Sequence, residues 1–238
     1  MTSTTPLSEP GASSDKISLR SVDLCGPAGR LEALLNEGAP DAPFAALVCH
    51  PHPKGGGTMH NKVVYHAMKV LNAPEWGFRF PVLRFNFRGT GLSEGAHDGL
   101  AEAADVTAAL DWLQMEYNVP VVLAGFSFGA SMATRACCGV DPSAKSRASL
   151  RGVAALGLPT QGFGQRFHYA YLADCMLPKL FLSGDRDNFA PAEQLEAVVG
   201  SAADPKKLVF VSESDHFFSG RLESMQQALA EWLKELVQ

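Results

Sequence analysis

The sequence predicts a doubly wound α/β domain, in which helices flank a mostly parallel sheet of eight strands. Six segments are continuous apolar runs, as expected of strands that are covered on both faces. Five of the intervals between strands are long enough to hold helices. Such an alternation of strand and helix is typical of a parallel sheet, and it places an active site at the carboxyl ends of the strands.

Length and composition indicate one domain. The chain has 238 residues, of which 46% are hydrophobic and 19% are charged. These values fit one globular unit with a large core. We assign residues 17–238 to this domain. Residues 1–16 have neither a basic region nor an apolar segment, and we interpret them as a disordered leader.

The first two strands are expected to form a hairpin. The segments ISLRSVDL and GRLEALLNE are joined by the turn Gly26 to Gly29, which predicts an antiparallel pair at a sheet edge. Its partial alternation leaves open whether a second copy of the chain covers that edge, as in a homodimer. The six apolar strands follow it: FAALVCH, FPVLRFNF, PVVLAGFS, LRGVAALGLP, LPKLFLSG and KKLVFVSES.

Two helices are predicted from apolar residues that recur at steps of three and four. The first helix spans Glu102 to Tyr117, with Asp105, Asp111 and Glu116 on its solvent side. The second helix lies near the C-terminus and should close over the sheet. Its apolar stripe consists of Leu222, Met225, Leu229, Trp232 and Leu236.

Charge, hydropathy and cysteine content exclude several classes of partner. The net charge is −5 and the 20 Lys and Arg residues are scattered, so nucleic acid is not an expected partner. No apolar run reaches the ~18 residues of a membrane-spanning helix. The cysteines show no CxxC spacing and are interpreted as buried free thiols of a cytoplasmic protein. They are Cys25, Cys49, Cys137, Cys138 and Cys175.

The pentapeptide GFSFG, from Gly125 to Gly129, indicates a nucleophile. It follows the apolar strand PVVLA and precedes the helical stretch ASMATRACC. In that context a sharp strand-to-helix turn presents a serine hydroxyl above the sheet, and glycine is needed on both flanks because a Cβ there would collide with neighbouring backbone. Such a pentapeptide also arises by chance, but this position predicts that Ser127 is the nucleophile.

The serine needs a general base, and His216 is the best placed of the seven histidines. It follows the late strand KKLVFVSES and precedes the last helix. From there it can reach Ser127, take its proton and return that proton to the leaving group. The alternative interpretation is a surface histidine beside Asp215.

The base in turn needs a carboxylate that accepts a hydrogen bond from its other ring nitrogen. We favour Asp187, in the turn that ends the strand LPKLFLSG. Asp185 in the same turn is expected to bond within that turn. Asp215 is adjacent to His216 in sequence, and neighbouring side chains usually diverge.

Two backbone amides are predicted to form an oxyanion hole. One belongs to Phe128, the residue after the nucleophile. The other belongs to His52 in the loop HPHPKGGG, because the flanking residues Pro51 and Pro53 carry no amide hydrogen. The prolines also stiffen the loop, which suits a donor that is fixed before charge develops.

No cofactor or metal is expected. The segment GGGTMHNK lacks the ending of a P-loop, and Gly89 to Glu94 has glutamate where a dinucleotide fingerprint needs its third glycine. A metal site is a minor alternative, because no carboxylate or thiol pattern completes the histidines that could contribute to one. Those histidines are His50, His52, His60 and His66.

From Ile17 onward the chain resembles the α/β-hydrolase superfamily, and within it a branch of small, cap-poor bacterial hydrolases related to dienelactone hydrolases. The motifs that carry the resemblance are HPHP followed by GG, NFRGTGLS, GFSFG, GDRD and DHF. The resemblance implies the roles given above to Ser127, Asp187 and His216, in the chain order serine, acid, histidine. It implies little about the substrate.

The predicted function is hydrolysis of a small-molecule ester through an acyl-enzyme. Thioesters and lactones are alternative substrates. A catalytically idle binding protein and a nicotinamide-dependent reductase are alternatives of other classes. The cap is limited to Thr160 to Met176, so we expect an open site for small or medium acyl groups. Its aromatic residues either line the pocket or pack in the core: Phe163, Phe167, Tyr169 and Tyr171.

Overall fold

The structure is a computed structural model that describes residues 18–139, 149–162 and 165–238. The predicted leader and Phe163 lie outside these ranges. The strands are β1 (Leu19–Gly26), β2 (Gly29–Asn36), β3 (Ala45–Cys49), β4 (Val82–Phe85), β5 (Val121–Phe126), β6 (Leu150–Leu156), β7 (Gln161–Gly162), β8 (Gln165–Arg166), β9 (Lys179–Gly184) and β10 (Lys206–Val211). The helices are α1 (Lys62–Asn72), α2 (Glu102–Tyr117), α3 (Phe128–Cys138), α4 (Ala192–Ser201) and α5 (Leu222–Leu236).

The strands form an eight-stranded sheet in the order β1-β2-β4-β3-β5-β6-β9-β10. Strands β1 and β2 pair antiparallel, and β2 pairs antiparallel with β4. Every further pairing along the sheet, from β4 to β10, is parallel. The predicted fold class and the predicted edge hairpin are therefore confirmed. Strands β7 and β8 form a separate hairpin at the position of the minimal cap.

The core lies in two layers, one on each face of the sheet. One layer contains apolar side chains of α2, α3 and α4, and the other contains those of α1 and α5. Successive residues of the fully buried strand β3 point alternately into the two layers, as the strand geometry requires. Within the described ranges no helix is long and apolar enough to cross a lipid bilayer.

Helix α2 has the predicted bounds, but one of the three acidic residues predicted on its solvent side is not there. Asp105 is fully buried, and its carboxylate accepts hydrogen bonds from the backbone amide and the guanidinium of Arg88, with Nη2 2.6 Å from Oδ1. The prediction was wrong because the turn after β4 folds over this face of the helix. The Arg88 guanidinium on that turn compensates the buried negative charge of Asp105.

The cysteines also depart from the prediction of buried free thiols. Cys138, at the end of α3, forms a disulfide with Cys175. Cys25 is an exposed thiol on the edge hairpin, and Cys49 and Cys137 are buried thiols. The disulfide partners are 37 positions apart, so they meet only in the folded chain and no local spacing reveals them.

Candidate active site

The nucleophile candidate Ser127 sits on a strained turn between β5 and α3. Its φ of 55° and ψ of −117° lie outside the regions that residues with a side chain normally adopt. A Cβ on Gly125 would lie 2.3 Å from the Gly129 carbonyl oxygen, and a Cβ on Gly129 would lie 2.4 Å from the Cys49 carbonyl oxygen. Both glycines are therefore required by close backbone contacts, for the reason that the sequence suggested.

His216 reaches this serine from the loop after β10. Its Nε2 atom is 2.9 Å from Ser127 Oγ. The ring packs against Phe126 and Phe189, with centroid distances of 5.1 and 4.6 Å. Gly157, which has a φ of +55°, keeps space for the ring, because a Cβ there would lie 3.2 Å from His216. The imidazole is thus confined between aromatic side chains while one nitrogen faces the hydroxyl.

Asp187 lies on the opposite side of the same ring. Its Oδ2 atom is 2.7 Å from His216 Nδ1, and its side chain is completely buried. Because the ionised carboxylate can only accept, Nδ1 carries the proton and Nε2 is left to accept from Ser127. Ser183 Oγ also donates to Oδ2, and the amides of Phe189 and Ala190 donate to Oδ1. The carboxylate is therefore held in one orientation.

The two acids that were not favoured lie outside this arrangement. Asp185 accepts from the amide of Ser214, in the loop that carries His216, so the prediction that it bonds within its own turn is wrong. Asp215 accepts from the amides of Phe217 and Ser219. Backbone hydrogen bonds lower the pKa of both carboxyls, from Glu213 first for Asp185 and from Ser219 first for Asp215.

The two residues predicted to donate to the oxyanion, Phe128 and His52, both line the cleft that contains Ser127. Phe128 is the first residue of α3, so no carbonyl within the helix can accept from its amide. The loop that contains His52 begins beside α3. At that point the carbonyl oxygens of Cys49 and His50 pack closely against Gly129, near the N-terminus of the helix. The rings of His52 and Phe128 are 5.0 Å apart. Both residues are thus close to Ser127, as an oxyanion hole formed by their amides would require.

The cleft has a volume of about 120 Å³. It is smaller than the roughly 300–1,000 Å³ of sites for drug-sized ligands. Among the described residues that line it, none is Asp, Glu, Lys or Arg. Besides Ser127 and His216, its lining residues include Gln161, Phe167, Phe189 and Phe217.

The aromatic residues of the cap divide between the two roles that the sequence left open. Phe167 lines the cleft. Tyr169 is buried, and its hydroxyl donates to the Pro159 carbonyl and contacts Ser131 Oγ at 2.7 Å. The Tyr171 hydroxyl contacts Thr134, which lies with Ser131 on α3. The two tyrosines thus pack the cap onto α3, which leaves one described cap aromatic for the substrate.

The histidines weighed as metal ligands are spread over several environments. The His50 ring is fully buried, and burial lowers its pKa to about 4. His52 lines the cleft, His60 is exposed, and His66 lies on α1. In the part of the chain that the structure describes, no three residues of the types His, Cys, Asp and Glu are grouped so that they could hold a metal ion.

One polar pair near the site was not identified from the sequence. His97 Nδ1 lies 2.7 Å from Oε1 of the fully buried Glu102, and the ring of His97 packs against His52 at 4.7 Å. The two residues are five positions apart at the start of α2. The sequence signal that could have revealed them is a glutamate on the first turn of a helix, where a carboxylate commonly accepts from backbone amides that precede the helix. In the structure Glu102 accepts from the amides of Asp98 and Gly99.

Comparison with known proteins identifies the family. The model of the alpha/beta hydrolase domain family matches residues 52–238. An uncharacterized protein of Rickettsia prowazekii is 35% identical over 219 residues, which cover 87% of this chain and 86% of that protein. The chain belongs to the α/β-hydrolase family.

Solved structures agree with this assignment. An alpha-beta serine hydrolase homologue from Coxiella burnetii is 32% identical, with a TM-score of 0.77 over 90% of this chain and 97% of the other. A Xanthomonas campestris protein described as a serine hydrolase without lid is 27% identical, with a TM-score of 0.74 over 95% and 97% of the two chains. The predicted superfamily resemblance is confirmed, and the similar proteins include one without a lid.

Proposed function

We propose that the protein hydrolyses carboxylic esters of small, uncharged acyl groups through an acyl-enzyme on Ser127. The observation that carries this proposal is the continuous hydrogen-bonded series from Ser127 to His216 to Asp187, with distances of 2.9 and 2.7 Å, at one end of an apolar cleft. Acyl transfer by a serine requires this geometry, in which a base is positioned to take the hydroxyl proton and a carboxylate orients the base.

Each step follows from the arrangement of these side chains. Ser127 Oγ bonds to the ester carbonyl carbon while His216 Nε2 takes the hydroxyl proton. The carbonyl oxygen becomes negative and accepts from the amides of Phe128 and His52. When the ester C–O bond breaks, the imidazolium returns the proton to the leaving alcohol. A water molecule then attacks the acyl-enzyme by the same route, and Asp187 stabilises the imidazolium in both halves.

The cleft supports the proposed acyl class. Its small volume and its aromatic walls, which include Phe167 and Phe189, favour a short apolar acyl group. An acyl group that ends in a carboxylate would lose hydration there, and no Lys or Arg among the described lining residues would compensate the loss. The substrate class is therefore short and neutral.

A series of nitrophenyl esters tests the proposal. We expect kcat/KM to be highest for 4-nitrophenyl butyrate, and roughly tenfold or more lower for both the palmitate and the anionic succinate monoester. Ser127→Ala should lower butyrate turnover by about 10⁴-fold or more. The matched control is Ser201→Ala, on the exposed face of α4, which should retain full activity. Best activity on palmitate, or Ser127→Ala activity within tenfold of wild type, would contradict the proposal.

A further inference from the structure

His50, the residue that follows β3, has both ring nitrogens engaged in the protein interior. The Phe87 amide lies 3.0 Å from its Nε2 atom. Because an amide can only donate, Nε2 accepts and the ring proton is on Nδ1. Nδ1 is 2.6 Å from the Pro51 carbonyl oxygen and therefore donates to it. The ring is fully buried and packs against Phe87 at a centroid distance of 4.7 Å, so the tautomer and the ring plane are both fixed.

The acceptor of this hydrogen bond belongs to the peptide group that contains the proposed oxyanion donor. The Pro51 carbonyl and the His52 amide are the two ends of one planar unit. This peptide bond is not cis, since the cis bond found in the described residues is Asp204–Pro205. In a trans peptide the carbonyl and the amide point in opposite directions. Holding the carbonyl toward His50 therefore directs the His52 N–H away from that ring.

The residues that follow hold the next peptide group, between His52 and Pro53. The His52 carbonyl accepts from the amides of Gly55 and Gly57, at 3.0 and 3.1 Å. Gly57 packs so closely that a Cβ there would lie 2.1 Å from the Pro51 carbonyl oxygen. The loop thus has little freedom to rotate the Pro51–His52 peptide. A hydrogen bond at the carbonyl end also polarises the amide at the other end, which strengthens it as a donor.

We propose that His50 is a positioning residue for catalysis, which orients the His52 amide toward the oxyanion by binding the Pro51 carbonyl. The inference rests on the proposed function of Ser127. Its chemical sense is that a donor fixed before reaction costs no reorganisation when the negative charge develops. A neutral buried imidazole supplies this support without placing a net charge beside the site.

Three substitutions separate the two hydrogen bonds of the ring. In His50→Asn the side-chain amide takes the place of Nδ1, so the donor to Pro51 is kept. In His50→Gln the side-chain amide takes the place of Nε2, so the contact with Phe87 is kept and the donor to Pro51 is lost. His50→Leu removes both. Val48→Ala, on the same buried strand, is the control for a general loss of core packing.

The readout is steady-state kinetics on 4-nitrophenyl butyrate together with thermal unfolding. We expect kcat of His50→Gln and His50→Leu to fall by about 10²–10³-fold, with KM within about threefold of wild type, because the amide acts on the transition state. The kcat of His50→Asn should be at least about tenfold higher than that of His50→Gln, because the donor to Pro51 is kept. Val48→Ala should keep its kcat within about threefold. If the leucine variant does not fold, the asparagine and glutamine pair still decides the question.

Equal kcat values for the asparagine and glutamine variants would overturn the inference, as would parallel changes of kcat and KM. These results leave the proposed function standing if Ser127→Ala remains inactive. If Ser127→Ala is as active as wild type, the proposed function fails and the role of His50 fails with it.

Discussion

Two carboxylate–histidine pairs lie near the cleft, and they differ in what the histidine can reach. Asp187–His216 and Glu102–His97 both have a fully buried carboxylate that accepts from loop amides, and both have Nδ1 2.7 Å from a carboxylate oxygen. His216 Nδ1 is aligned for a hydrogen bond with its acid. His97 Nδ1 has no hydrogen-bond partner among the described residues.

The second difference is the group on the far side of each ring. His216 faces the hydroxyl of Ser127 at 2.9 Å, whereas His97 packs against the rings of His52 and Phe128. The two pairs therefore share a carboxylate beside a histidine, but only the His216 ring faces a serine hydroxyl. The strained turn that presents Ser127 distinguishes the first pair from the second.

Replacing the two histidines should give the largest contrast. We expect His216→Ala to lower kcat by about 10⁵–10⁶-fold, because the serine then has no base. His97→Ala removes a ring that touches no reacting group and should change kcat by less than about tenfold. Ester hydrolysis by the two purified variants is the measurement. Comparable losses in both would show that the two pairs act together.

Replacing the two acids should also lower kcat more in the first pair than in the second, but the contrast should be smaller than that between the histidines. Asp187→Asn keeps the shape but favours the wrong tautomer of His216, and we expect a loss of about 10⁴-fold in kcat. Glu102→Gln should lower stability by about 1–3 kcal/mol, since a buried acceptor of two amides is weakened. Its kcat should stay close to that of wild type. Kinetics and urea unfolding of both variants separate these effects, and a larger kcat loss in Glu102→Gln would reverse the assignment.

A third histidine predicts how stability depends on pH. Burial lowers the pKa of His50 to about 4 from an unfolded value of about 6.5. The unfolded chain therefore binds more protons between these values. The contribution of His50 to stability is complete above pH 6.5 and is lost as the pH falls toward 4, on the order of 3 kcal/mol in total.

Urea unfolding at several pH values measures this dependence. Electrostatic interactions with His52 and His97 also lower the pKa of His50, so the quantity to compare is the difference in slope between wild type and His50→Asn. We expect the variant to lose less stability on acidification. Equal slopes would show that folding does not lower the pKa of His50.

The smallest effect should come from Ser183, which donates to the same Asp187 oxygen that accepts from His216. Ser183→Ala removes one hydrogen bond of several to that carboxylate. A loss of about 2- to 10-fold in kcat/KM corresponds to the usual value of such a bond. The assay is the same ester hydrolysis, and a loss as large as that of Asp187→Asn would mean that Ser183 alone fixes the acid.

The parts of the molecule that were predicted from the sequence depend on local signals. The apolar runs gave the parallel strands, and the chain context of GFSFG and His216 singled out residues that the fold brings within hydrogen-bonding distance. Choosing Asp187 needed only its place along one loop. The wrong predictions concern pairings between distant segments. Arg88 with Asp105, Asp185 with Ser214, and the disulfide all depend on loops whose paths no local pattern specifies.

Labelling with a fluorophosphonate, followed by mass spectrometry of the peptides, tests the activation of Ser127 most directly. We expect one adduct, on Ser127, that is absent in Ser127→Ala and forms about 10³-fold or more slowly in His216→Ala. An adduct on another residue, or none at all while the protein still hydrolyses butyrate esters, would contradict the assignment.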